Sequence, residues 1–199
     1  MLEEIEGFIL VGGASRRMGA DKAGLKLGQR SFVERVAEAL AAIASNVSVV
    51  GAADKTPIPH LTVVRDVYPA WGALGGLHGA LAACRSSWAA VVACDLPFVT
   101  GELFVRLSEL RENFDAVVPV QRDGRPQPLC ALYRRETCTP RAAELIAAGE
   151  RRPRALLQTV ETRWVTHGEL EDLQGSNDFF ANINTPTDYL RARERMEKG

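Results

Sequence analysis

With 199 residues, 46% of them hydrophobic and 25% charged, the chain has the composition of a folded globular protein able to bury a substantial core, which excludes a disordered or low-complexity role. Its 24 basic and 25 acidic residues leave a formal charge of −1, so there is no broad positive field to drive nucleic-acid binding. Cys84, Cys94, Cys130 and Cys138 lack C-x-x-C pairing, and His60, His78 and His167 are scattered, which argues for reduced structural thiols and against a zinc site.

The N-terminus, MLEEIEGFILVGG, sets acidic residues before a very short apolar run, where a signal peptide has a basic end and a longer apolar segment. No stretch reaches membrane-spanning length. The expectation is a cytoplasmic protein with no membrane and no nucleic acid among its partners.

The first element is a strand over 8–11 that empties into a glycine-rich basic loop, FILVGGASRRMGADKAGLKLG over 8–28. Gly12, Gly13 and Gly19 admit backbone angles closed to other residues, so their amides can converge on an anion, and Arg16, Arg17 and Lys22 add full positive charge. The residues after Gly19 are Ala-Asp-Lys, so this is no P-loop, and no G-x-G-x-x-G is present. A basic surface turn without a ligand is the alternative. Residues 31–44 then show Val33, Val36, Ala37, Leu40, Ile43 and Ala44 at helical spacing, with Glu34, Arg35 and Glu38 opposite. Strands follow over 47–50, 62–65 and 89–93, short and rich in β-branched or small apolar residues.

Asp95 comes directly after the apolar run 88–94, and Leu96-Pro97 stops the strand behind it. Thr100 caps a helix with an apolar stripe of Leu103, Phe104, Leu107 and Leu110; 116–119 is another strand; Thr185-Pro186 begins a terminal helix with Asp188 nearby. Repeated βαβ units imply a three-layer α/β/α sheet in one domain spanning 1–199. Ligands of such sheets bind beyond the carboxyl ends of the strands. The glycine loop, Gly51, Asp66 and Asp95 each follow a predicted strand, so four loops share one rim.

Read as Gly12 through Lys22, G-G-x-S-x-R-M-G-x-D-K resembles the signature of a nucleotidyltransferase superfamily, and within it the molybdenum cofactor guanylyltransferase family. Asp95-Leu96-Pro97, Arg125-Pro126-Gln127-Pro128-Leu129, Gly149-Glu150-Arg151-Arg152 and Asn182-Ile183-Asn184-Thr185-Pro186 extend the likeness in the family's order over nearly the whole chain. The resemblance implies a Rossmann-like nucleotidyltransferase fold with a mostly parallel sheet. It also implies a magnesium-dependent enzyme that transfers GMP from GTP to molybdopterin or molybdenum cofactor and releases pyrophosphate. Cofactor-delivery proteins are further partners it leaves room for. The alternatives are a cytidylyltransferase or other nucleotidyltransferase acting on molybdopterin or a sugar or polyol phosphate, and a non-catalytic nucleotide-binding regulator.

Carried over residue by residue, the resemblance gives Asp95 the magnesium ion, with Asn182 or Asn184 as a second oxygen. Lys22 and Arg16 meet the triphosphate, Arg17 being the adjacent alternative to Arg16. GTP is implied to lie against backbone at Leu10, Val11, Gly12 and Gly13, against Gly51, where some relatives carry asparagine, and against Asp66, which otherwise reads as a turn former before Tyr68-Pro69. Gly72-Ala73-Leu74-Gly75-Gly76-Leu77 looks like the family's nucleotide-facing segment with Ala73 where proline is usual. In this scheme the N-terminal half binds nucleotide and the C-terminal half binds the acceptor, through Arg125, Gln127, Arg151, Asn182 and Asn184. An arginine fork and an amide suit the phosphate and pterin of molybdopterin.

Overall fold

A computed structural model describes residues 4–12, 25–51, 61–65, 67–69 and 71–198. Chain order is β1 (Ile5–Leu10), β2 (Lys26–Leu27), β3 (Arg30–Ser31), α1 (Phe32–Leu40), β4 (Val47–Val50), β5 (Thr62–Val64), α2 (Ala73–Ala83), β6 (Trp88–Ala93), α3 (Gly101–Glu109), β7 (Ala116–Pro119), β8 (Cys130–Arg134), α4 (Arg135–Ala147), β9 (Thr162–Val165) and α5 (Pro186–Lys198). Seven strands form one sheet in the order β5-β4-β1-β6-β8-β7-β9, while β2 and β3 pair as a small separate hairpin.

Every strand of the large sheet runs parallel to the others except β8, which is antiparallel to both neighbours. From β1 the chain moves outward to β4 and β5, then returns to β6 on β1's other side. The strand order therefore reverses between β1 and β6, which is where ligands settle in open α/β sheets. The register makes the edge there flush, because Val64 aligns with Val50, Val50 with Leu10, and Leu10 with Ala93. Each is the last residue of its strand.

Both faces of the sheet are covered. One core packs Val33, Val36 and Leu40 of α1 and Leu103, Phe104 and Leu107 of α3 on Ile9, Trp88 and Val92. The other packs Leu74, Leu77 and Leu81 of α2 and Cys138, Ala142 and Ile146 of α4 on Phe8, Val91 and Tyr133. Burial on both faces is why the inner strands read as continuous apolar runs rather than alternating ones.

The helix starts follow local chemistry. Ser31 caps α1 in a reciprocal box with Glu34, each side chain bonding the other's backbone N–H. The Thr100 hydroxyl accepts from Leu103 N–H at 3.4 Å, and Asp188 accepts from the N–H groups of Asn184 and Thr185 ahead of α5. The helix predicted over 31–44 is shorter than its apolar pattern. Regular helix stops at Leu40, and a turn over 41–43 carries Ile43 on against the core. The first strand begins at Ile5, not Phe8, and ends at Leu10, leaving Val11 to the rim.

All four cysteines are free and buried, and burial pushes the thiols of Cys84 and Cys138 up to about 12, so neither is a nucleophile near neutral pH. Among the described residues no helix is long and apolar enough to cross a membrane.

Candidate functional site

The site is built on the four flush strand ends. Val11 N–H donates to Val50 O at 2.9 Å, Gly51 N–H to Val64 O at 3.3 Å and Cys94 N–H to Leu10 O at 3.1 Å, so the sheet's bonding runs one residue past each strand end. Val11 is buried, and its amide is held by β4. Gly12 is exposed, with φ at +136°, and is the first residue to leave the sheet. Leu10 and Val11 thus act as the floor of the rim, and Gly12 opens the loop above it. Gly13, Arg16, Arg17, Lys22 and Asp66 lie outside the described residues.

At Gly51 the structure gives a reason for glycine. Its φ is +98°, and a Cβ would stand 2.1 Å from Val11 O. A side chain would need to displace the backbone of the rim itself. Gly51→Ala is expected to destabilise by about 1–3 kcal/mol from backbone strain alone, lowering the melting temperature by a few degrees to about 10 °C. An unchanged melting curve would show that the two loops are not in this contact.

Asp95 lies two residues past the end of β6, at the reversal point, with its side chain partly buried. The buried Leu96 and Pro97 anchor the turn behind it, and Pro97 O accepts from Arg35 Nε of α1 at 3.0 Å. Asp95 O accepts from Ile183 N–H at 3.0 Å, which brings Asn182 and Asn184, both exposed, alongside from a segment nearly ninety positions away. Ile183 is itself buried with Leu27, Phe32 and Ala192. Its apolar anchoring is what sets the two flanking asparagines outward.

The turn before β8 reaches the same place. Leu129 O accepts from Ala93 N–H at 2.8 Å, Gln127 N–H donates to Pro119 O at 2.9 Å, and the buried Tyr133 hydroxyl donates to Pro128 O at 2.6 Å. Gln127 therefore stands at the end of β7, two residues before the Leu129 that meets the end of β6. Arg125 is farther out, at the exposed tip of the β7–β8 connection, where its Nε pairs with Asp123 at 2.8 Å. No described bond links it to the Asp95 cluster.

Arg151 arrives through α2. Gly76, in the second turn, faces Leu10: a Cβ there would lie 3.5 Å from Leu10 Cδ1, so the start of α2 sits directly against the end of β1. Leu74 N–H donates to Arg151 O at 3.3 Å, and Trp71 Nε1–H donates to Glu150 O at 2.8 Å. Trp71 had no part in the motif reading. The signal for it, an aromatic residue just before a glycine that starts a helix, is visible in the sequence, but its partner lies 79 positions on.

Glu150 accepts from the N–H groups of Arg151 and Arg152 and, in a fork, from Arg152 Nε at 2.9 Å and Arg152 Nη2 at 2.8 Å. These bonds, the Arg152 side chain foremost, draw its carboxyl down to about 2 from an ordinary 4.5. A lowered value means that the stabilisation is complete above pH 4.5 and is lost as the pH falls from there through about 2. The stability gap between wild type and Glu150→Gln is expected to be small at this exposed pair, flat from neutral pH to about 4.5, and to close toward pH 2. Urea titrations at stepped pH measure it, and a gap constant over that range would contradict the pairing.

The gathered groups are one carboxylate, two asparagine amides, a glutamine and the open end of a glycine loop. Such a set suits an anion held by backbone, next to a hard cation. Among the described residues no group of three or more His, Cys, Asp or Glu side chains is placed to hold a metal ion by itself. The Asp95 carboxylate at the reversal point fits magnesium, which takes one or two protein carboxylates and completes its shell with water and substrate phosphates.

Residues 7–166 match the model of the MobA-like NTP transferase domain. The chain belongs to that family. It is a nucleotidyltransferase with a mixed, mostly parallel sheet flanked by helices. Among its relatives, a probable molybdenum cofactor guanylyltransferase of Pelotomaculum thermopropionicum is 35% identical over 193 residues, 96% of this chain and 93% of that one. The crystal structure of molybdopterin-guanine dinucleotide biosynthesis protein A from Archaeoglobus fulgidus superposes with a TM-score of 0.82 at 26% identity, covering 98% of this chain and 100% of that one. A 2-C-methyl-D-erythritol 4-phosphate cytidylyltransferase from Thermus thermophilus shares the fold, with a TM-score of 0.69 over 98% of this chain and 99% of that one, at 19% identity. The MobA-like fold is thus common to transferases of different bases.

Proposed function

We propose that the chain is a molybdenum cofactor guanylyltransferase, joining GMP from GTP to the terminal phosphate of molybdopterin or its molybdenum form. The observation that carries this reading is the gathering of Gly12, Gly51, Asp95 and the 182–184 segment at the reversal point of the sheet, in a chain whose near full-length relatives carry that name. In the reaction an anionic oxygen of the acceptor phosphate forms a bond to the α-phosphorus of GTP, the bond from that phosphorus to the bridging oxygen breaks, and pyrophosphate leaves. The attacking oxygen is already ionised, so no general base is required.

The residues divide the work by chemistry. Gly12 and Gly13 present backbone to the triphosphate, and Lys22 and Arg16 meet charge that grows on its oxygens. Gly51 offers the nucleotide backbone only, and the Asp66 carboxylate accepts from guanine or ribose. Asp95 holds magnesium, with Asn182 or Asn184 contributing an oxygen. Once bound, that ion supplies Lewis-acid neutralisation of the phosphate oxygens. Gln127, Arg151 and the asparagines face the acceptor. Arg125, tied to Asp123 at the hairpin tip, contributes to the acceptor's approach rather than to the reacting phosphate.

Pyrophosphate release tests this reading. It should require GTP, magnesium and molybdopterin together, and stop when any one is withheld or the metal is chelated. Release from GTP without an acceptor, or none under any combination, would contradict it.

A further inference from the structure

Trp71 is half-buried where the loop after β5 turns into α2. Three contacts join this helix start to the 149–152 loop: Trp71 Nε1–H donates to Glu150 O, Leu74 N–H donates to Arg151 O, and the Arg151 guanidinium lies over the indole with Cζ 4.5 Å from the ring centroid. The contact is fixed from behind as well. A Cβ on Gly75 would stand 2.8 Å from Trp71 Cβ and 3.1 Å from Tyr68 O, so only glycine lets the indole sit this low against the helix.

The two neighbouring arginines are sorted by this arrangement. Arg152 is neutralised by the Glu150 fork. Arg151 is exposed, and among the described residues its guanidinium makes no ion pair. Stacking uses the face of a guanidinium and leaves its in-plane N–H fork turned outward, in the geometry that grips a phosphate. The first turn of α2 holds no acidic side chain to compete for that fork.

We propose that Trp71 is a positioning residue that presents the Arg151 fork to the phosphate of the acceptor. This rests on the function proposed above. The triphosphate has its own cations in the glycine loop, whereas the acceptor phosphate must approach that polyanion, and a cation held rigidly across the start of α2 offsets the repulsion. Trp71 touches no substrate; it acts through Arg151.

The test is molybdopterin binding by calorimetry to wild type, Trp71→Leu, Trp71→Phe, Arg151→Ala and the Trp71→Leu/Arg151→Ala double variant, which needs no turnover. Loss of the stack and the indole bond is expected to weaken binding about tenfold in Trp71→Leu, with Trp71→Phe intermediate because it keeps a ring. The double variant should bind no more weakly than Arg151→Ala alone, since Trp71 works through that one group. GTP affinity should stay within about twofold throughout. Multiplying losses in the double variant, a fall in GTP affinity instead, or a wild type that does not bind molybdopterin would each overturn the proposal. Assaying the wild type's nucleotide product beside these titrations keeps the two readings apart, because a cytosine product with normal molybdopterin coupling would defeat guanylyl transfer and leave Trp71's role standing.

Discussion

Replacing Asp95 by Asn is expected to lower turnover by at least about a hundredfold while leaving the fold intact. Asn keeps the size of the side chain and removes the negative charge on which a hard cation depends. The loop should survive because its anchors are elsewhere: Cys94 N–H on Leu10 O, Ala93 N–H on Leu129 O, Ile183 N–H on Asp95 O and the burial of Leu96. None of these bonds uses the carboxylate. The measurement is kcat against magnesium concentration, with melting temperature as control. Near-normal rates at limiting magnesium would make Asp95 a structural residue and send the metal to another ligand.

The second large effect belongs to the glycine loop. In the proposed scheme Lys22→Ala removes a cation that meets the phosphates but leaves the amides, so GTP affinity should weaken a few-fold while kcat falls about a hundredfold or more, if the lysine meets charge that develops only in the transition state. Equal losses in affinity and rate would mean that it binds substrate and transition state alike. An unaffected enzyme would mean that the loop is not the phosphate site. Melting temperature, expected to hardly change, is the control for folding.

Asp95 is a residue that the sequence marks by position, and the fold shows how such positions can be read. Strand ends were legible because parallel strands buried on both faces read as short apolar runs, and residues 12, 51 and 95 follow them within two positions. The helix starts at Thr100 and Thr185-Pro186 were legible because capping is local chemistry, whereas Ser31, read as the first helical residue, is itself the cap of α1. Less visible was the region from β8 to β9. Cys130–Arg134 carries Tyr133 and Arg134 in place of a purely apolar run, and its antiparallel direction follows from a tight connection after β7, a matter of topology rather than composition. Helix α4 hid behind Pro140, which sits inside it, and α2 behind its three glycines.

Within the site the same divide holds. The likeness singled out Asn182 and Asn184, but the bond from Ile183 N–H to Asp95 O that places them rests on a buried isoleucine whose partners, Leu27 and Phe32, come from the other end of the chain. For Gly51 the sequence shows only the residue type, whereas Val11 O, 2.1 Å from where a Cβ would stand, makes glycine a requirement. Arg151 and Arg152 are alike in sequence, and Glu150 and Trp71 tell them apart in the structure.

The central claim, guanylyl transfer to a molybdopterin phosphate, meets its most direct test in the mass of the product. The purified protein, incubated with magnesium, molybdopterin and an equimolar mixture of GTP, CTP, ATP and UTP, should yield molybdopterin guanine dinucleotide. A cytosine dinucleotide would contradict the assignment of the base while leaving the transfer chemistry in place, and the absence of any dinucleotide would contradict the account altogether.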